Sequence, residues 1–169
     1  MKHTAKIMKH LSAPVLALAL LCLPAFQASG TADAAFDAHY TSAFLSAQEQ
    51  SAGNLLNSDR ARYGLPALTL DPELCRIARI KSQDMRDNQY FSHTSPTYGD
   101  VRAMLRHFGY AFEAAGENIA HHRDVEKAQA ALISSPAHRR NLLSSAYTRA
   151  GIGIVQDKNG IYLTQIFCR

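Results

Sequence analysis

Gly151-Ile152-Gly153-Ile154-Val155, then Asp157-Lys158-Asn159-Gly160, then Ile161-Tyr162-Leu163-Thr164-Gln165-Ile166-Phe167 close the chain's apolar pattern with short β-branched runs about a polar tetrad. β-Branched and aromatic residues on both sides of a turn-forming tetrad predict two antiparallel strands joined by a hairpin. A lone hairpin is not stable in water. It must pack against helices or join further short strands, and Thr69 and Ile119 stand in segments that could supply them. The mature chain reads helix first and strand last, so the chain is α+β.

The helices are marked by apolar spacing and by their ends. Over residues 40–63, Phe44, Leu45, Ala52, Leu55 and Leu56 recur at helical intervals, and Gly64 with Pro66 stops the run. Residues 71–88 form the clearest helix, with Asp71 as N-cap, Pro72 at the first position, and Leu74, Ile77, Ala78, Ile80, Lys81 and Met85 along one stripe. A shorter helix covers 100–108 and closes at Gly109. Another covers 124–133 behind an Asp124 cap, and Pro136 interrupts it before a last helical turn to Leu143. No internal repeat or low-complexity tract is present.

Before the helices lies a different kind of segment. Lys2, Lys6 and Lys9 precede an apolar run over 11–26, and Ala32-Asp33-Ala34 has the form of a cleavage site, so 1–34 reads as a secretory signal peptide. The run is shorter than the roughly 20 residues of a spanning helix and carries Pro14 and Pro24, so no stable membrane span is expected after cleavage. Residues 35–49 then form a helical lead-in and 50–169 a single domain. The expected location is secreted or periplasmic.

Losing three lysines and one aspartate with the leader lowers the formal charge from +4 to +2. That field is too weak for a nucleic-acid protein, and the aromatics are not interleaved with a basic stripe. Arg139 and Arg140 beside His138, with His121, His122 and Arg123 upstream, form either a solvated face or a patch for anionic envelope polymers and lipid head groups. Cys75 and Cys168 survive leader removal, and an even count in an oxidising compartment predicts one disulfide, worth about 4 to 5 kcal/mol by loop entropy. The alternative is two buried free thiols.

Three segments carry the chemistry: Phe91-Ser92-His93-Thr94-Ser95-Pro96, Gly116-Glu117-Asn118-Ile119-Ala120 and Ser135-Pro136-Ala137-His138-Arg139-Arg140-Asn141. His93, Glu117 and His138, if gathered, make a two-imidazole, one-carboxylate set with an open position, suited to zinc or another divalent metal. The same residues could instead be a buried pair that holds loops together. No second carboxylate qualifies as a general base. No Gly-x-Ser-x-Gly elbow occurs, and both cysteines read as structural, so covalent catalysis has no nucleophile.

The order of Asn57, Arg60, Gly64, Leu65, Leu68, Asp71, Leu74, Ala78 and Met85, followed by these three segments, Gly151 to Ile154, and Thr164 with Gln165, resembles the CAP superfamily. That superfamily groups cysteine-rich secretory proteins, antigen 5 and pathogenesis-related 1 proteins, and this chain looks like a compact bacterial member. The resemblance implies a three-layer α-β-α sandwich with a central antiparallel sheet and a His- and Glu-lined cleft, in a secreted protein. His93 matches the family's first cleft histidine and Glu117 its first cleft glutamate. The second histidine of the eukaryotic members falls at Tyr162 and their second glutamate near Ser134 or Ser135, whereas His138 matches a histidine of bacterial relatives. The resemblance thus implies a binding or effector module for a lipid, sterol, peptide or envelope polymer. Its alternative is a metal-dependent hydrolase, such as a peptidase, working through His93, His138 and Glu117.

Overall fold

The computed structural model describes residues 45–169. The leader over 1–34 and most of the lead-in lie outside the described residues. Among the described residues, five helices and four strands follow in the order α1 Ala47–Arg62, β1 Thr69–Leu70, α2 Pro72–Asp87, α3 Val101–His107, β2 Ala115–His122, α4 Val125–Ser134, α5 Pro136–Leu142, β3 Arg149–Asp157 and β4 Gly160–Cys168.

Local chemistry sets the helix ends. Asp71 accepts from Leu74 N–H at 2.9 Å, Asp100 from Ala103 N–H at 2.8 Å and Asp124 from Lys127 N–H at 2.8 Å, each at the start expected for it. The helix that opens the described residues is capped differently. Ser46 and Glu49 form a reciprocal capping box, with Ser46 N–H donating to Glu49 Oε2 at 2.8 Å, so α1 begins at Ala47, and the part of the expected helix over 40–44 lies outside the described residues.

The strands form one sheet in the order β1-β3-β4-β2. The predicted hairpin is β3 and β4, with Asp157 paired to Gly160 across the turn. Strands around Ile119 and Thr69 are also present: β2 runs antiparallel to β4, and the two-residue β1 runs parallel to β3. The sheet is therefore antiparallel apart from that short edge. Parallel pairing is open to β1 because the long connection back to β3 contains helices that can carry the chain across.

Helices cover both faces, completing the α-β-α sandwich. Leu56 of α1, Leu132 of α4 and Leu142 of α5 share one core cluster with Ile161, Leu163 and Phe167, while Leu74, Ile77, Met104 and Leu105 of α2 and α3 share the other with Ile166. The alternation along β4 is the period-two rule of a strand buried on both faces. Helix α2 lies so close to β3 that a Cβ at Gly153 would stand 2.1 Å from Ala78 C and Arg79 N. A buried ion pair reinforces this contact: Arg79 donates to Glu49 through Nε at 2.5 Å and Nη2 at 2.8 Å, and Ile154 N–H donates to Glu49 Oε1 at 3.2 Å.

The disulfide expected between Cys75 and Cys168 is not formed. Both are free, buried thiols, and they belong to the two separate core clusters. Cys75 Sγ accepts the Ile152 N–H at 3.2 Å, whereas Cys168 lies with Ile166 and Leu74.

Candidate functional site

The site is assembled around a loop hung from the end of α2. Asp84, in the last turn, accepts hydrogen bonds from the hydroxyl of Tyr90, from Ser95 Oγ at 2.7 Å, Thr97 Oγ1 at 2.9 Å and Asn88 Nδ2 at 2.7 Å. Burial pushes this carboxyl up, but the four donors outweigh it and hold it below the usual carboxylate range. Ser95 Oγ in turn accepts the N–H groups of Thr97 and Tyr98, each at 2.9 Å. One turn earlier, Lys81 is completely buried, and its Nζ donates to Ser92 O at 2.8 Å, His93 O at 3.4 Å and Tyr90 Oη at 3.1 Å. Desolvation lowers its pKa, opposed by the negative charges of Glu117 and Asp84. The backbone beneath His93 is thus held by a buried ammonium.

His93 emerges from this loop over β2. Its Nδ1 lies 2.7 Å from Glu117 Oε1, with His93 about half exposed and the Glu117 side chain only 3% exposed. Since a carboxylate only accepts, Nδ1 carries the proton of this hydrogen bond. Glu117 sits on β2 because its backbone is fixed from both sides: β4 pairs with it through Ile166, and Asn141 Nδ2 of α5 donates to Glu117 O at 3.0 Å. Asn141 also donates to Asn118 Oδ1 at 3.0 Å, and Asn118 Nδ2 donates to His138 O at 3.1 Å and Gln165 Oε1 at 3.4 Å. That chain continues inward through Gln129 to Asp59.

His138 thereby reaches the same place from α5. Desolvation, and next the charge of His93, lower its pKa, so it is neutral near pH 7. Two buried atoms here have no hydrogen-bond partner among the described residues, Glu117 Oε2 and His138 Nδ1. The structure brings His93 and Glu117 into contact and His138 within electrostatic reach. It does not gather them as a ligand shell: among the described residues, no three His, Cys, Asp or Glu side chains are placed to hold a metal ion. The hydrogen bond ties up Nδ1 of His93 and leaves Nε2 as the nitrogen it could offer a ligand, the arrangement in which a carboxylate orients a ligating imidazole.

Sequence reading left Lys81, Asp84 and Tyr90 without a role here. Lys81 did carry a signal, as a cation on an apolar helical stripe. Asn118 and Asn141 were quoted within motifs, and their function is to lock β2 to α5. An aromatic group also borders the site: His121 and Tyr162 stack at 4.1 Å with 15° between planes, and Phe91 lies 6.4 and 6.5 Å from them.

Comparison with known proteins agrees with this architecture. Residues 54–167, more than half of the chain, match the family model described as CAP, the cysteine-rich secretory protein family. The chain is 41% identical over 124 residues to the uncharacterized protein YkwD of Bacillus subtilis, covering 73% of this chain and 48% of that one. It is similar to an extracellular protein containing an SCP domain from Bacillus anthracis, with 41% identity and a TM-score of 0.67 over 72% of this chain and 40% of the other. The chain thus spans about half or less of these two relatives. An outer surface protein of Borrelia burgdorferi shares the fold alone, at 16% identity and a TM-score of 0.66 over 71% of this chain and 90% of that one. The chain belongs to the CAP, or cysteine-rich secretory protein, family.

Proposed function

We propose that this CAP domain is an extracellular binding module whose ligand site is the face formed by His93, Glu117 and His138. One observation carries the reading: Glu117 Oε2 is a buried carboxylate oxygen with no donor among the described residues, and His138 Nδ1 is likewise unpartnered. Leaving such a group unsatisfied costs about 1–3 kcal/mol or more when charged, and a bound donor removes that cost. An envelope component fits the setting, given the leader read over 1–34 and the similarity to a protein described as extracellular. The hydrolase reading is less well supported, because among the described residues His93, Glu117 and His138 are not gathered as a ligand set.

The test is co-sedimentation of the purified protein with bacterial cell-wall sacculi and with phosphatidylglycerol vesicles. Binding to one of these, lost on Glu117→Gln while the melting temperature stays within about 3 °C, supports the module. Binding to neither, or binding indifferent to the substitution, overturns it. Calorimetric titration with zinc chloride should show no saturable heat. One-to-one binding lost in both His93→Ala and His138→Ala would restore the metal reading.

A further inference from the structure

Glu117 and His121 lie on one face of β2, four residues and roughly 13 Å apart. The loop after α2 runs alongside in matched order, with His93 at Glu117 and Phe91 near His121 and Tyr162. The site is therefore one end of a strip, polar at Glu117 and aromatic at Tyr162. We infer that this strip binds a glycan, with sugar hydroxyls at Glu117 and His138 and a sugar ring against the aromatic group of Phe91, His121 and Tyr162. This inference rests on the binding-module reading and names its ligand class.

The polar end selects a neutral donor. Glu117 Oε1 already accepts from His93, and Oε2 is buried without a donor among the described residues. A hydroxyl can donate to Oε2, and a hydroxyl also suits His138 Nδ1, since it accepts or donates according to the tautomer of that ring. An ammonium has less to gain, because the buried Lys81 Nζ already stands close enough to feel the Glu117 charge. A carboxylate or phosphate would be repelled by Glu117 itself.

The aromatic end selects a ring with an apolar face. Phe91 is 52% exposed, one of two large hydrophobic side chains so open among the described residues, and it is tilted toward the half-buried His121 and Tyr162 pair. Such an aromatic surface accepts the C–H face of a pyranose, and its polar rim suits the ring's hydroxyls. An alkyl chain would satisfy this end and leave Glu117 Oε2 unpaired. The length of the strip calls for an oligosaccharide of more than one ring.

The experiment is calorimetric titration of the full chain with chitotetraose and, separately, cellotetraose. Saturable binding to at least one is expected, weakened by about tenfold or more in both Phe91→Ala and Glu117→Gln. Tyr63→Ala, at the other exposed aromatic, should leave the affinity unchanged. No binding at millimolar sugar, or binding that survives Phe91→Ala, overturns the inference. If the sugars fail while Glu117-dependent co-sedimentation with sacculi persists, the binding module stands and its ligand is another wall component, such as a peptide. If both fail, the module reading falls with the glycan.

Discussion

Asp84 shows how one residue governs the site without touching it. Four side chains donate to its carboxylate, and three of them, from Tyr90, Ser95 and Thr97, belong to the loop that carries His93. Because its folded pKa is depressed, Asp84 contributes stability that is complete above its unfolded value near 3.9 and is lost as the pH falls through the folded value. Asp84→Asn should therefore cost about 1–3 kcal/mol at pH 7 and flatten the decline of melting temperature below about pH 4. Thermal melts of both proteins from pH 7 down to pH 2 check this, and parallel curves would refute it. The sequence shows Asp84 only as a polar residue on an amphipathic helix, since its partners are set by the loop's path and not by helical spacing. His93, Glu117 and His138 were legible because each is an imidazole or carboxylate among turn-forming residues. Lys81 was legible as a misfit, but the carbonyls it holds, those of Ser92 and His93, carry no side-chain signature.

Between elements, the tightest constraint is the approach of α2 to β3. Gly153 has no room for a Cβ, and the obstructing atoms are Ala78 C and Arg79 N, backbone that cannot turn aside as a side chain can. Gly153→Ala should destabilise the domain by about 1–3 kcal/mol or more, read from the denaturant midpoint. A neutral result would mean that the helix can withdraw from the sheet. The buried pair beside it makes a second expectation. Glu49→Gln leaves Arg79 facing a neutral amide in a buried setting and should cost about 3–5 kcal/mol, far above what a surface pair is worth. Three helix starts could be read in advance because an Asp cap bonds within its own turn. The edge strands were harder: Thr69 and Leu70 pair with Arg149 and Ala150, far along the chain, and nothing in a two-residue strand reveals its parallel direction. The close approach at Gly151 and Gly153 was hidden in the same way, since a glycine in a strand reads equally as a bulge or as a packing contact.

At the scale of the whole molecule, the two cysteines test how far counting can stand in for geometry. An even number after a leader argued for a disulfide, but cysteine spacing cannot show that two buried thiols will settle in separate clusters of the core. Arg60 ties distant parts of the chain together, donating to Pro66 O at 2.9 Å, Leu142 O at 2.8 Å and Ser144 O at 2.9 Å from a completely buried position. Burial pushes both thiols up to about 11, so at neutral pH they are protonated as well as enclosed and are poor nucleophiles. Alkylation of the native protein without reductant should therefore leave Cys75 and Cys168 unmodified. The same reaction after unfolding in guanidinium, still without reductant, should label both, with peptide mass mapping separating them from Cys22. Reductant should leave the melting temperature unchanged. Cysteines resistant to alkylation even when unfolded, together with a melting temperature lowered by reductant, would show that the chain closes the bridge and that its two clusters come together by a path this arrangement does not contain.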